Sequence, residues 1–199
     1  MLVTEVLKLA PSPEQGRALL ATMRACNAAA TRAAEIAFAH RTANKLVLQK
    51  LVYADLRQEF GLSAQMAVRS IAKACQAYKR DKTIKLVFRQ LGAVAYDPRI
   101  LTWKGPDSIS LLTLSGRVVV PVLYRGRWLN SAGATLRGQA DLVYRDGVFF
   151  LSVVVEVPDP PSGEEPREWL GVDLGIVNLA TDSTGEPYSG KGGAGGAAA

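Results

Sequence analysis

The chain contains very few of the residue types from which zinc sites and hydrolytic triads are built. Among its 199 residues it has one histidine, His40, and two cysteines, Cys26 and Cys75. A tetrahedral zinc site requires more such ligands than these can supply, and a catalytic triad requires a histidine beside a nucleophile. We therefore expect neither kind of site, and we interpret both cysteines as small buried apolar residues.

Long apolar runs are also absent. No run approaches the roughly 18 residues that a membrane-spanning helix needs, and the first residues lack the basic head and apolar centre of a signal peptide. Hydrophobic residues make up 48% of the chain and charged residues 21%, which excludes a disordered protein. The expectation is a soluble, cytoplasmic protein of one or two domains.

Charge is unevenly distributed along the sequence. Residues 41–89 contain eleven basic and three acidic residues, a net charge of +8, whereas residues 156–186 contain one basic and eight acidic residues, a net charge of −7. Such a division suggests a surface for a polyanion beside a segment that uses carboxylates. The alternative is a solvated basic helix face followed by an acidic loop, and charge alone does not separate the two.

Three helices are predicted in the first half of the chain. Ser12 is a good N-cap, with Pro13 at the first helical position and Gln15 at the third. Apolar residues then recur at helical spacing, and Gly61 and Ser63 separate the second helix from the third. The predicted helices cover about 13–38, 44–60 and 64–80.

Strand patterns begin before the helices and resume after residue 82. The first strand is predicted at 2–9, and Ser115-Gly116 and Asp146-Gly147 are turn signals for two hairpins. The later strands are predicted at 83–88, 94–96, 109–114, 117–121, 136–144 and 148–157. A linker rich in proline and acidic residues follows, and further strands are predicted at 169–172 and 178–181.

Asp173 is the residue whose position indicates chemistry. It ends an apolar strand, where a carboxylate is held rigidly at the rim of a sheet, and Gly175 permits close approach of a ligand. Carboxylate oxygens suit Mg²⁺ or Mn²⁺, the ions that assist phosphodiester hydrolysis in two-metal nucleases. An aspartate before a glycine at a strand end is also common as a plain turn residue.

The run from Gly171 to Gly185 resembles the first RuvC-like nuclease motif of the TnpB family. These OrfB-type proteins of insertion sequences are RNA-guided DNA nucleases related to type V CRISPR effectors. The resemblance covers nearly all of residues 1–190, because other segments that resemble the family precede this run in the same order as in the family. These segments are Pro11–Gln15, Cys26-Asn27, Gln65, Ala77–Lys79, Tyr96–Arg99, Ser110–Arg117, Ala140–Val143 and Phe149–Leu151.

The resemblance implies an α+β fold with two functional parts. A wedge-type antiparallel β-barrel would comprise 1–10 and 82–157, with a three-helix recognition module, 11–81, inserted in it. Residues 158–167 would be a linker, 168–190 the opening strands of an RuvC-like (RNase H-like) nuclease domain, and 191–199 a Gly/Ala tail, so that the chain is expected to stop early.

Asp173 matches the first catalytic and metal-binding aspartate of the family. The family's other catalytic carboxylates lie further downstream, and Asp182 and Glu186 do not match them. The resemblance implies a transposon-associated endodeoxyribonuclease that uses Mg²⁺ or Mn²⁺ when complete. This chain alone is expected neither to hold the metal nor to cleave DNA.

The implied partners are a guide RNA and target double-stranded DNA. Side chains on the second and third helices are the candidate contacts to a short duplex motif, and basic residues are the candidate contacts to phosphates. The candidates are Asn44, Lys45, Gln49, Gln65, Arg69, Lys73, Lys79, Arg80, Lys82, Lys85 and Arg89. For any one of them, an ordinary exposed helix residue is the competing interpretation.

Two other functions fit the same sequence. The missing carboxylates also suit a nuclease-inactive RNA- or DNA-binding module, either a truncated product or a regulatory relative. An unrelated β-barrel with a phosphate-binding hairpin at Asp173-Leu174-Gly175 is the third hypothesis.

Overall fold

The computed structural model describes residues 1–105, 107–124, 129, 131–158, 171–173 and 180–188. The chain divides into two units, Met1–Pro158 and Asp159–Ala199. The first unit has an α+β fold, with three helices and a nearly closed antiparallel sheet. Among the described residues, none of the helices is long and apolar enough to cross a membrane.

The three predicted helices are present, and Ser12, Gly61 and Ser63 have the predicted capping roles, whereas Asn44, predicted as the first residue of the second helix, is its N-cap. They are α1 (Pro13–Ala39), α2 (Lys45–Phe60) and α3 (Ala64–Arg80). The Ser12 hydroxyl accepts the Gln15 backbone N–H at 3.2 Å, and the Gln15 side chain accepts the Ser12 N–H at 2.9 Å. Asn44 and Ser63 are the N-caps of α2 and α3, and Gly61 ends α2 in the left-handed region. Local side-chain chemistry therefore sets these helix ends.

Two glycines provide a matched test of this helix chemistry. Gly16→Ala is expected to stabilise the unit by about 0.5–1 kcal/mol, because a Cβ there meets only Phe149, at an ordinary 3.7 Å. Gly61→Ala is expected to destabilise it by about 1 kcal/mol, because Gly61 has φ +63°. Urea denaturation of both variants checks this, and a shift of the same sign in both would contradict the assignment of Gly61 as the cap.

Seven strands of the first unit form one antiparallel sheet in the order β2-β6-β7-β1-β5-β4-β3. They are β1 (Leu2–Leu9), β2 (Val94–Tyr96), β3 (Leu101–Trp103), β4 (Ser108–Thr113), β5 (Gly116–Tyr124), β6 (Thr135–Arg145) and β7 (Val148–Glu156). The two strands at the ends of this order, β2 and β3, are consecutive in the chain. The short corner between them therefore brings the ends of the sheet together, and the sheet is nearly a barrel.

The first strand lies in the centre of that sheet. β1 pairs with β7 along its whole length, from Leu2 opposite Glu156 to Leu9 opposite Phe149, and with β5 around an irregularity at Lys8/Leu9. Leu7 and Leu9 point inward and are buried, as are alternate residues of β7. The helices join the same apolar core through an alanine-rich face of α1 (Ala29, Ala30, Ala33, Ala34 and Ala37). Small side chains there let α3 pack closely against α1.

The predicted strand at 83–88 is wrong. This segment has no strand partner among the described residues, and its only described backbone contact to a distant residue is the Phe88 N–H donating to the Thr31 hydroxyl at 3.0 Å. Leu86 and Phe88 pack against the core while Ile84 and Val87 are exposed, so burial on one side produces the alternation at 86–88 without a sheet. Conversely, β3 was not predicted.

The second unit contributes three short described strands. They are β8 (Val172–Asp173), β9 (Ala180–Asp182) and β10 (Pro187–Tyr188), paired antiparallel in the order β10-β9-β8. Residues 169–170 and 178–179 of the predicted strands, residues 159–167 of the predicted linker and the tail at 191–199 lie outside the described residues.

Candidate nucleic-acid interface

Asp97, at the corner between β2 and β3, joins that corner to α3. Its carboxylate accepts from Arg69 Nε at 3.0 Å and Nη2 at 2.7 Å, and from the amide of Gln65. It also accepts the backbone N–H of Arg99 at 3.0 Å, which shapes the turn. Asp97 is only 6% exposed, so these bonds replace water almost completely. One buried carboxylate therefore connects α3 to the corner that brings the ends of the sheet together.

The ionisation of Asp97 follows from these partners. Burial alone raises the pKa of a carboxyl group, but the hydrogen bonds from Arg69, Arg99 and Gln65 and the charge of Arg69 together outweigh it, and the net effect lowers the pKa of Asp97. Asp97 is thus ionised at neutral pH and compensates the charge of Arg69. Gln65 and Arg69 lie one turn apart, as the sequence predicts, but both are bonded to this internal acid.

A groove, the outer groove, opens beside this ion pair with a volume of about 600 Å³. Its polar side chains are Lys45, Gln65, Arg69, Asp97, Arg99 and Gln139. Arg69 Nη1 donates to Gln139 Oε1 at 3.0 Å, and Arg99 Nη1 donates to Gln65 Oε1 at 3.1 Å. These bonds hold amide and guanidinium groups, which can read base edges, in fixed positions. Arg99 and Gln139 were not among the predicted contacts, since only the fold brings them to α3.

Lys73, a predicted nucleic-acid contact, has internal partners. Its ammonium group donates to Asn27 Oδ1 at 2.5 Å and to the Ala93 carbonyl at 2.7 Å, and lies 4.9 Å from the centre of the Phe88 ring. Burial lowers its pKa. Lys73 therefore fastens the segment before β2 onto α1 and α3.

Asn27 is the buried centre of the same cluster. Its amide group donates to the carbonyls of Met23, Gln90 and Gly92 at 2.9, 3.1 and 2.8 Å. The residue is 1% exposed. The two amide N–H groups of Asn27 are thus shared among three backbone carbonyls, one in α1 and two in the segment before β2, and they join that segment to the helix.

Three predicted basic contacts are concentrated at the end of α3, and we call them the basic ridge: Lys79, Arg80 and Lys82. All three are exposed, and none forms an ion pair within the part of the chain that the structure describes. Lys79 and Arg80 occupy the last turn of the helix, where positive charge is also favoured by the helix dipole.

The remaining predicted basic residues differ in their partners. Lys85 forms an ion pair with Glu35 at 3.0 Å, and the hydrogen bond from Lys85 is the main reason that the pKa of Glu35 is lowered. Arg89 is exposed and has no ion pair among the described residues. Arg89 is therefore more available to an added anion than Lys85.

The predicted contacts on α2 are separated by the fold. Asn44 Oδ1 accepts the backbone N–H groups of Leu46 and Val47 at 2.9 and 3.4 Å, so its side chain caps the helix. Lys45 reaches the outer groove, whereas Gln49 lines another shallow pocket with Leu46 and Tyr53. Of the three, Lys45 is the one that the fold places beside Gln65 and Arg69.

Asp173 is exposed in β8 and lies opposite Thr181 of β9. Asp182 lies opposite Val172, so the alternation of side chains in strands places Asp173 and Asp182 on opposite faces of the sheet. Among the described residues, no group of three histidine, cysteine or acidic side chains could hold a metal ion. These residues therefore do not complete a magnesium or manganese site around Asp173.

Asp182 instead organises the turn that follows it. Its Oδ1 accepts the hydroxyl and N–H of Thr184 at 2.5 and 2.9 Å and the N–H of Glu186 at 3.0 Å, and its Oδ2 accepts the Tyr188 hydroxyl at 3.1 Å. The bond from the Thr184 hydroxyl is the largest reason that the pKa of Asp182 is lowered. All of its described bonds are local, which is typical of a structural carboxylate.

Comparison with known proteins does not assign the chain to a family. No protein-family model matches the chain, and no curated protein is significantly similar to it. Function is therefore argued from the arrangement of the residues described above.

Proposed function

We propose that this chain binds nucleic acid as the N-terminal portion of a TnpB-type, RNA-guided and metal-dependent DNA endonuclease of an insertion sequence. The observation that carries the proposal is the placement of two features on one helix. α3 contributes Gln65 and Arg69 to the outer groove and ends in the basic ridge, whose cations have no acidic partner among the described residues. Polar groups that can read bases and cations that can bind phosphates thus follow each other along α3.

The two features have different roles in the proposal. The basic ridge neutralises phosphates of the guide RNA or of target double-stranded DNA, which contributes affinity without sequence information. The outer groove offers the amides of Gln65 and Gln139 and the guanidinium of Arg99 to the edges of bases. Because Asp97 holds Arg69 and Gln65 in place, these groups need little reordering on binding.

The nuclease part of the proposal rests on Asp173 alone. It is proposed as one of the carboxylates that would bind Mg²⁺ or Mn²⁺ in the complete nuclease. Since the described residues do not complete such a site, no catalytic step is assigned to this chain.

The salt dependence of RNA binding tests the proposal. Fluorescence anisotropy with structured RNA from the 3′ end of the element, beside a duplex DNA of equal length, is expected to show affinity that falls steeply with salt. The double variant Arg80→Gln/Lys82→Gln is expected to reduce the slope of log K against log salt by about 1.4–1.8, since each phosphate contact contributes about 0.7 in single strands and about 0.9 in a duplex.

A matched variant distinguishes an effect of the basic ridge from an effect of the net charge of the chain. Lys8→Gln/Lys104→Gln removes the same charge from exposed positions of the barrel and is expected to leave the slope nearly unchanged. Equal effects of the two double variants would show that binding is non-specific. No measurable binding of RNA or DNA at low salt, by a chain that circular dichroism shows to be folded, would overturn the proposed function.

A further inference from the structure

A second cavity, the inner cleft, lies where α1 and α3 meet β2 and β6 and has a volume of about 230 Å³. Sites for drug-sized ligands usually measure roughly 300–1,000 Å³. The inner cleft is therefore suited to a smaller group, such as a single planar ring system. Gln76 and Gln139, two of its lining residues, are exposed, so the cleft can be reached from solvent.

The walls of the inner cleft combine apolar and charged groups. Cys26, Met66 and Val94 are buried and supply apolar surface. Burial raises the pKa of the Cys26 thiol to about 12, so this wall is uncharged at neutral pH. Lys73 and Arg69 bring positive charge and Asp141 brings negative charge to the same lining, and Arg69 is already bonded to Asp97 and Gln139.

Lys73 and Asp141 have hydrogen-bonding capacity that the described residues do not use. Two of the three N–H groups of the Lys73 ammonium bond to Asn27 and Ala93, which leaves one donor. Asp141 Oδ1 accepts a long bond of 3.4 Å from Gln139, and Oδ2 has no partner in the described part of the chain. Since Arg69 is bonded to Asp97 and Gln139, the cleft presents the remaining ammonium donor of Lys73 and a carboxylate with free acceptor positions.

We propose that the inner cleft binds an unpaired guanine base of RNA, an inference that rests on the proposed function. Guanine carries a carbonyl oxygen, O6, next to two donors, N1–H and the N2 amino group. O6 accepts from Lys73, and the two donors bond to the carboxylate of Asp141. Adenine, cytosine and uracil have no pair of adjacent donors on this edge, and therefore leave a carboxylate oxygen without a partner.

The glutamines at the opening do not decide which base is bound. The side-chain amide of Gln76 offers a donor and an acceptor and can turn to suit any base. The amide of Gln139 is held by Arg69 and Asp141, and it too offers both a donor and an acceptor. The apolar wall contacts the face of a ring without regard to its identity. Discrimination between bases therefore depends on the fixed charges, and Asp141 is the specificity-determining residue.

Oligonucleotide binding tests the inference on the unmodified chain. The probe is an oligouridylate with a single central guanine, compared with the same strand carrying adenine, cytosine, uracil or inosine at that position. We expect the guanine strand to bind about tenfold more tightly than the others, since a bidentate pair discriminates by about that factor or more. Inosine keeps O6 and N1–H but lacks the N2 amino group, and is expected to show an intermediate affinity.

Two matched substitutions then assign the preference to the cleft. Asp141→Asn is expected to abolish the guanine preference and the difference between guanine and inosine, because the amide offers one acceptor where the carboxylate offers two. Asp146→Asn, in the turn of the same β6–β7 hairpin, removes the same charge outside the cleft. This variant is expected to keep the guanine preference and the difference between guanine and inosine. This comparison forms a double-mutant cycle between Asp141 and the N2 amino group.

The outcomes separate this inference from the proposed function. Equal, salt-dependent binding of all the strands overturns the guanine site and leaves nucleic-acid binding intact. Failure of every strand, and of the structured RNA, to bind overturns both. Binding of free guanosine monophosphate as tightly as the guanine strand overturns RNA as the source of the base, whereas retention of the preference in Asp141→Asn overturns the assigned residue.

Discussion

Replacing Asp97 with asparagine is expected to destabilise the first unit by about 2 kcal/mol. Asparagine keeps the shape of the side chain and can still accept the N–H of Arg99, but it removes the charge that compensates Arg69. The Arg69 side chain is 27% exposed, so water recovers part of the loss and the cost lies below that of a fully buried pair. Urea denaturation followed by circular dichroism measures the change.

Asp146→Asn is the control for Asp97→Asn. Asp146 is exposed and has a positive φ of 51° that asparagine tolerates well, and its only ion pair among the described residues is with Arg145. We expect its substitution to change the free energy of unfolding by less than about 0.5 kcal/mol. A similar loss in both variants would mean that the Asp97–Arg69 pair has no special role in the fold.

The stability contributed by Asp97 also depends on pH. Its folded-state pKa is lowered, so between that value and the unfolded value near 3.9 the unfolded chain binds more protons. This contribution is fully present above the unfolded pKa and is lost as pH falls through the folded pKa. The wild type should therefore lose more stability than Asp97→Asn on acidification below about pH 4.

Replacing Asn27 with aspartate is expected to destabilise the unit by about 3 kcal/mol. The two side chains have the same shape, but a carboxylate cannot donate to the carbonyls of Gln90 and Gly92, and it places negative charge beside their oxygens. Attraction to Lys73 offsets only part of this cost, since Lys73 already donates to the side-chain oxygen of Asn27. Chemical denaturation is again the measurement.

The same substitution at Asn44 is expected to have the opposite outcome. Asn44 only accepts hydrogen bonds from the first turn of α2, and aspartate accepts them equally well. Negative charge also interacts favourably with a helix N-terminus, so Asn44→Asp is expected to be neutral or slightly stabilising. Destabilisation by Asn44→Asp comparable to that of Asn27→Asp would contradict this account of both residues.

The sequence predicts those parts of the fold that depend on near neighbours. The capping box at Ser12, the left-handed cap at Gly61 and the turn at Asp146-Gly147 each involve residues a few positions apart, and all are present. Such signals predict the elements and their ends. They do not predict the order of strands in the sheet, because that order depends on pairings between residues far apart in the chain.

Asn27 and Asp97 show why the site was predicted less completely than the helices. Their bonds reach Gly92 and Arg69, 65 and 28 residues away in the chain. The residue types alone indicate turns or exposed positions. An asparagine within the alanine-rich face of α1 was the one available signal of a buried polar group, and its partners could be identified only in the fold.

The strand prediction for residues 83–88 is wrong for a related reason. Alternating apolar residues require only that one side be buried, whereas a strand also requires a free sheet edge within reach. The sheet ends here are β2 and β3, which the corner at Asp97 brings together. The periodicity of apolar residues indicates which side of a segment is buried. Whether a sheet edge is free to pair with that segment depends on the completed sheet.

The central position of β1 has a consequence for synthesis on the ribosome. The N-terminal ammonium group bonds to the carbonyl of Val157, 156 residues later, and both neighbours of β1 in the sheet follow the helices. At translation rates of roughly 5–20 residues per second, β1 waits on the order of ten to thirty seconds for β7. The three helices contact one another and can assemble during that interval. β1, the first of these strands to be synthesised, then pairs with β5 and β7, and the sheet is completed only after β7 has left the exit tunnel.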